Sequence, residues 1–200
     1  NPGIIMASVS GYGQTGPYRE YMGYGPAIPP LTGLAAGTGY VNGAPEEIGL
    51  SMPDPTAGIT TALGVIAALC RRDATGEGDH LDVSLWEATA VLNVEAWMDF
   101  VFNGAEPVRM GNRHPRMAPH GCYPCAGDDA WISIACRNDE QWKALAALVG
   151  HGLDGDSRLA TLAGRKRIED ELDAQITGWT SERDRWAITK ELQALGIAAF

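Results

Sequence analysis

Residues 51–72, SMPDPTAGITTALGVIAALCRR, decide how this chain is read. One acid, Asp54, stands between Pro53 and Pro55, and an uncharged, largely apolar run follows as far as Arg71 and Arg72. Asp is a favoured N-cap and proline is favoured at the first helical position, so the stretch predicts a helix over 55–72 capped by Asp54. Ile59, Leu63, Ile66 and Cys70 recur at spacings of three and four, which puts them on one face and predicts that this face is buried. A carboxylate at such an end faces unbonded amides and the positive end of the helix dipole. Carboxylates ordinarily titrate near ~4 and are ionised at neutral pH. An ionised, fixed carboxylate is what covalent catalysis by an acid requires, and the same amides can hold an oxyanion. The residues alone leave both roles open, cap and nucleophile.

Working outward, IIMASVS (4–10) reads as a short buried strand and HLDVS (80–84) as a second strand after the turn ATGEGD (74–79). A short helix is expected near Leu31–Ala36, with prolines only at its start. SLWE (84–87) is a capping box, and its helix is expected to run to about Phe102 before Asn103-Gly104. The stripe Leu85, Ala88, Leu92, Trp97 and Phe102 is expected in the core. Residues 104–130 are loop-rich and mark a change of domain. WISIAC (131–136) reads as a strand, and NDEQ (138–141) opens a helix to Gly150. Two amphipathic helices follow, over about 165–177 and 182–195, with Gly196 as the stop. This order fits an α/β layer followed by a smaller α+β unit.

The net charge of −10 argues against nucleic acid as a partner, because a phosphate-binding surface needs a basic field. No apolar run reaches the roughly 20 residues that span a bilayer, and no signal peptide is evident. Four cysteines are too few for a disulfide framework, so a reducing, cytoplasmic setting is expected. The chain opens on NPGIIMASVSG, without Met, and closes on LGIAAF, which leads us to expect an internal segment of a longer protein.

Two further motifs carry possible chemistry. GYGQTG (11–16) matches the spacing of a dinucleotide-binding turn, but that use needs a helix to begin there, and Pro17 with YREYMGYGP is poor helix material. HPRMAPHGCYPC gathers His114, His120, Cys122 and Cys125, which raises a zinc-bound interaction domain as the non-enzyme alternative. The bland reading is a loop whose cysteines act as small apolar residues.

Several segments together resemble one family. SVSGYGQTGPY, MGYGPAIPPLTGL, SMPDPTAGITTALGVIAAL and RRDATGEGDHLDVSLWEA occur in its order, followed by GNRHPRMAPHGCYPC and WISIACRNDEQWKAL. The chain resembles the class III CoA-transferases, the CaiB/BaiF family, over nearly its whole length. The resemblance implies part of a Rossmann-like, CoA-binding and catalytic large domain over 1–112, and an incomplete small α+β domain over 113–200. It also implies an intertwined homodimer when full length. CoA would pass between an acyl-CoA and a carboxylic acid, with no metal or tightly bound cofactor and with the CoA thioester as substrate.

Asp54 aligns with the family's catalytic aspartate, which attacks the thioester to form a mixed anhydride and then an aspartyl-CoA thioester. Tyr24 matches a tyrosine that lines the acyl site in some members, and Leu85 a position near the thioester. GNRHP (111–115) matches a glycine-run lid of which only Gly111 remains. Asn112, Arg113 and His114 then become candidates for substrate contact, the last two for an acceptor carboxylate. Racemases of the same fold carry a histidine at the position of Tyr24. A phenol is a poor base at neutral pH, so the resemblance favours transfer over an acyl-CoA racemase or isomerase.

Overall fold

The computed structural model describes residues 1–200 except Ile48, Leu50 and His151. It divides into two units, Asn1–Gly111 and Asn112–Phe200, each with its own architecture. Among the described residues no helix is long and apolar enough to cross a membrane.

The first unit is built on two parallel strands, β1 (Ile5–Ser10) and β2 (Asp79–Ser84), paired from Ile5 with Asp79 to Ser10 with Ser84. Parallel neighbours need a long crossover. Here it carries two short helices, α1 (Ile28–Leu31) and α2 (Leu34–Gly37), and then the long helix α3 (Pro53–Thr75). The one short helix expected near 31–36 is thus two, separated at Gly33, whose φ is +77°. Helix α3 ends on Gly76 (φ +76°), whose N–H bonds Arg72 O at 2.7 Å. Gly78 N–H then bonds Pro2 O at 2.7 Å and Asp79 N–H bonds Ile4 O at 3.0 Å. Helix α3 therefore ends beside the start of β1 and runs antiparallel to both strands, which sets its N-terminus toward their carboxyl ends.

The outward orientation of α3 differs from expectation. Ile59, Leu63 and Ile66 are 73%, 67% and 59% exposed, and Cys70 is exposed too. Ala57 and Ala68 are buried, with Thr61 and Gly64 half-buried between them. This second stripe repeats the same spacing, offset by two residues or about 200° around the helix. Its small side chains let the helix lie close to the strands: a Cβ on Gly64 would stand 3.3 Å from a Leu81 methyl. Strand β1 is likewise only partly buried, with Met6 and Val9 exposed.

The helix expected from Ser84 to Phe102 is also two, α4 (Leu85–Ala90) and α5 (Val94–Asn103), joined by a 3-10 turn at Val91–Asn93. The turn breaks the stripe. Leu85 and Ala88 are buried, whereas Leu92, Trp97 and Phe102 are exposed. Asn93 Nδ2 and Trp97 Nε1 both donate to Thr32 O, each at 3.1 Å, and tie α5 to the segment between α1 and α2. The core of the unit is a small cluster of Ile28, Ala57, Leu85 and Ala88, with Tyr12, Val83 and Trp86 packed on it.

The second unit is a three-stranded antiparallel sheet with β4 (Trp131–Ala135) between β3 (His120–Pro124) and β5 (Ala198–Ala199). Strand β3 lies inside the stretch read as loop. Its helices are α6 (Asp139–Val149), α7 (Leu162–Arg167), α8 (Glu169–Thr180) and α9 (Arg185–Ala194). The helix expected over 165–177 is interrupted at Ile168, whose ψ of 34° leaves the helical region. Ile132, Ile134, Trp142, Leu145, Ile176 and Leu192 lie in its core.

Candidate active site around Asp54

Helix α3 starts two residues earlier than the sequence predicts. Pro53 is its first residue, Asp54 its second and Pro55 its third, and the N-cap is Met52, which makes no side-chain cap bond. Asp54 is therefore not the cap. The prolines remove the N–H at the first and third positions. Asp54 N–H bonds Ser51 O at 3.0 Å and Thr56 N–H bonds Met52 O at 3.1 Å. The first turn thus presents no unbonded amide, which overturns the expectation that these amides serve as oxyanion donors. The dipole still favours an anion there. The Asp54 side chain is exposed and accepts no hydrogen bond from the described residues. Its Oδ2 leans on the backbone of buried Gly25.

Gly25 is delivered by the loop after β1. The backbones at Gly11 and Gly23 touch: a Cβ on Gly11 would lie 2.6 Å from Gly23 Cα. Residues 12–22 therefore form a compact loop with joined ends, of the kind held together by its own side chains. Tyr21 packs edge-on against Tyr12 and Tyr18, which are tilted on each other, and Trp86 joins Tyr12 and Tyr18, at ring separations of 5.5–6.4 Å. Together with Leu31 these rings line a cavity of about 280 Å3. Asp82 accepts Gln14 N–H through both carboxylate oxygens, and Ser84 Oγ donates to Gly11 O at 3.3 Å. No helix starts in GYGQTG, and an amide that a phosphate would need is bonded to a carboxylate. The motif is a turn.

Tyr24 is 74% exposed, and its carbonyl accepts Ala27 N–H at 2.9 Å, closing the 3-10 turn Gly25–Ala27. The turn leads into fully buried Ile28, which shares its cluster with Ala57, one turn beyond Asp54. The structure thus brings Tyr24–Gly25 and Asp54 to one place at the carboxyl ends of two parallel strands, where open α/β sheets characteristically bind ligands. Gly25 and Ser51 were not singled out by the sequence. The only signal available was their placement beside Tyr24 and before Pro53.

The other expected site residues stand differently. Leu85 is 7% exposed and belongs to the core cluster. Gly111 (φ +58°) donates its N–H to Gly39 O at 2.9 Å. Asn112, Arg113 and His114 belong to the second unit. Asn112 O accepts His120 Nδ1–H at 2.6 Å. His114 Nδ1 accepts Arg116 N–H at 3.1 Å, and its carbonyl accepts Lys166 Nζ at 3.0 Å. Arg113 donates to Asp173 from Nη2 at 2.8 Å and from Nε at 3.2 Å, and also to Asp170. Partial burial works against its charge, but these carboxylates prevail and raise its proton affinity further. Tyr123 OH donates to the same Asp173 at 2.8 Å, and burial first, then Asp173, pushes that phenol well up. The Arg113 guanidinium is thus paired with carboxylates of its own unit.

The four residues of the zinc reading do not converge. Cys122 is exposed on β3, Cys125 is buried in the core, and only His114 and His120 approach, with ring centroids 5.3 Å apart. Among the described residues no group of three His, Cys, Asp or Glu side chains is placed to hold a metal.

CoA-transferase family III matches the sequence across residues 1–200, and the chain belongs to that family. It is 37% identical over 181 residues to the succinyl-CoA–D-citramalate CoA-transferase of Chloroflexus aurantiacus, covering 90% of this chain and 45% of that protein. It is 38% identical over 178 residues to the acetyl-CoA:oxalate CoA-transferase of Acetobacter aceti, covering 88% and 45%. The crystal structure of a CaiB/BaiF family protein from Brucella suis superposes with a TM-score of 0.91 at 33% identity, covering all of this chain and 52% of that one. The chain thus spans about half the length of these relatives.

Proposed function

We propose that the complete protein carrying this chain is a CoA-transferase that moves CoA from an acyl-CoA to a carboxylic acid, with Asp54 as its covalent nucleophile. The observation that carries this reading is the placement of Asp54. It is an exposed carboxylate without a hydrogen-bond partner among the described residues, in the rigid first turn of α3, in a chain of CoA-transferase family III.

A carboxylate oxygen of Asp54 attacks the thioester carbonyl. The C–S bond breaks, CoA thiolate leaves and a mixed anhydride forms. The thiolate then attacks the Asp54 side-chain carbonyl, releasing the donor acid as its carboxylate and leaving an aspartyl-CoA thioester. The acceptor carboxylate attacks that thioester, thiolate leaves again, and its return to the acceptor's acyl carbon yields the new acyl-CoA and restores Asp54. Every step exchanges one acyl bond for another, with no net proton transfer and no redox change. Splitting the exchange in this way replaces one difficult step by several easier ones. Exclusion of water protects the anhydride. The oxyanions are met by groups other than the first-turn amides, which are bonded or absent. In this reading Tyr24 borders the acyl group.

The relatives are named for citramalate and oxalate, with succinyl- and acetyl-CoA as donors, so short dicarboxylates are the acceptor class to test first. We further assign the first unit, Asn1–Gly111, to part of a Rossmann-like large domain of a cytoplasmic, intertwined homodimer. The parallel pair with its helical crossover supports the domain assignment. The second unit, Asn112–Phe200, is assigned to the small domain. A racemase would need a base at Tyr24, and a phenol titrating near ~10 is poorly suited.

The test is to incubate the complete protein with a panel of acyl-CoAs, trap with hydroxylamine or borohydride, and map the adduct by mass spectrometry. Modification at Asp54, absent in Asp54→Ala, is expected. Continued CoA exchange with Asp54 unmodified would overturn the mechanism.

A further inference from the structure

We infer that Gly25 and Ser51 are positioning residues for the Asp54 carboxylate, and that the missing side chain at Gly25 serves the reaction rather than the fold. The inference rests on reading Asp54 as the nucleophile. Glycine is usually kept for one of two reasons, a left-handed backbone or a lack of room. The first does not apply, because Gly25 is not among the glycines with positive φ. The second does. A Cβ on Gly25 would run into Asp54 Oδ2 and Ser51 Oγ and would stand 3.0 Å from Ser51 Cβ. These three nearest atoms all belong to Ser51 and Asp54, so the volume denied to a methyl group at Gly25 is filled by the site itself.

Ser51 acts on Asp54 twice. Its carbonyl accepts Asp54 N–H at 3.0 Å, and its Oγ shares the space beside Gly25 with Oδ2. The carboxylate has no hydrogen bond among the described residues to hold it against crowding. A methyl group at position 25 therefore displaces the carboxylate rather than unfolding the unit. Misplacing a reacting atom by about 1 Å costs on the order of 10²-fold in rate.

The experiment compares the complete protein with its Gly25→Ala, Gly25→Ala/Ser51→Gly and Asp54→Ala variants. Gly25→Ala is expected to lower kcat and the rate of Asp54 trapping together, by about 10²-fold. KM for the acyl-CoA and the melting temperature should stay near parental values. Removing the Ser51 side chain in the same background gives the carboxylate room and should restore a measurable part of the rate. A purely structural glycine would lower the melting temperature and show no such rescue. Should Gly25→Ala fold poorly, Ser51→Thr crowds the same space from the other side and is read in the same way. Parental kcat and trapping rate in Gly25→Ala, with Asp54→Ala inactive, would overturn the positioning role alone. Full activity in Asp54→Ala would remove the nucleophile reading and this inference with it.

Discussion

The carboxylate of Asp82 on β2 accepts the backbone N–H of Gln14 through both oxygens, at 3.0 and 2.9 Å. This charge-assisted contact pins the loop over 12–22 to the strand, and the end of that loop delivers Tyr24 and Gly25 to Asp54.

Asp82→Ala should therefore release the loop. Cleavage by trypsin after Arg19 is expected to accelerate several-fold, with a loss of about 1 kcal/mol in global stability. CoA transfer should fall with kcat more than with KM, since the change acts through Asp54's neighbours. Unaltered cleavage at Arg19 would show that the aromatic packing of Tyr12, Tyr18 and Tyr21 holds the loop without Asp82.

In the second unit, Arg165 is 1% exposed and each of its side-chain nitrogens donates: Nε to Ala118 O at 2.7 Å, Nη1 to Leu159 O at 3.0 Å and Nη2 to Asp139 Oδ1 at 2.8 Å. Its guanidinium also lies 5.5 Å from the centre of the Trp142 ring. Arg165→Met leaves both carbonyls without this donor and should destabilise the unit by about 2–5 kcal/mol, at roughly 1–3 kcal/mol for each buried acceptor left unsatisfied. Asp139→Asn keeps the acceptor shape at a half-exposed position and should cost only about 1 kcal/mol. Urea unfolding followed by far-ultraviolet circular dichroism separates the two, and equal midpoints would contradict the structure.

Helix caps give a sharper comparison. Ser84 Oγ accepts Glu87 N–H at 3.2 Å and Asn138 Oδ1 accepts Gln141 N–H at 2.9 Å, so Ser84→Ala and Asn138→Ala should each cost about 1 kcal/mol. Asp54 makes no cap bond, so Asp54→Ala should lose no more than about 0.5 kcal/mol from the dipole. A cost for Asp54→Ala as large as that of Ser84→Ala would return Asp54 to the role of a cap.

These caps also show which parts of the structure were legible in the sequence. Ser84 and Asn138 are local signals: a short polar side chain three residues before its amide partner suffices to mark a helix start. The orientation of α3 is not local. The stripes 57-61-64-68 and 59-63-66-70 share one period, and only packing on β1 and β2 selects the small one. Met52 displaced Asp54 as cap because the turn at Ser51 begins the helix early, which propensity does not register. Strand β3 was hidden by His120, Gly121 and Pro124, residues that read as loop until β4 pairs with them. At Asp54 the acid between two prolines marked only a helix start, and it is the family resemblance that points to a nucleophile there. Gly25 was not legible, because the atoms that exclude a side chain there lie about 26 to 29 residues further along the chain.

The cysteines supply a prediction with a pH dependence. Cys70 and Cys122 are exposed, whereas Cys125 and Cys136 are buried. Burial pushes the Cys136 thiol up to about 12, against an opposing pull from Arg165, and burial followed by Asp184 raises Cys125. A disulfide reagent at neutral pH should label Cys70 and Cys122 in the folded chain and all four in denaturant. The raised value also links folding to pH. The native thiol of Cys136 holds its proton more tightly than the unfolded one, which ionises near ~8.5. The unfolded state therefore loses its proton first, and the stability this group contributes is full below that pH and is lost as pH rises toward about 12. The urea midpoint should fall between pH 8 and pH 10.5, roughly the lower part of that window, and fall less in Cys136→Ala. Equal slopes in the two proteins, or fast native labelling of Cys136, would place its thiol in contact with water and contradict its position in the core.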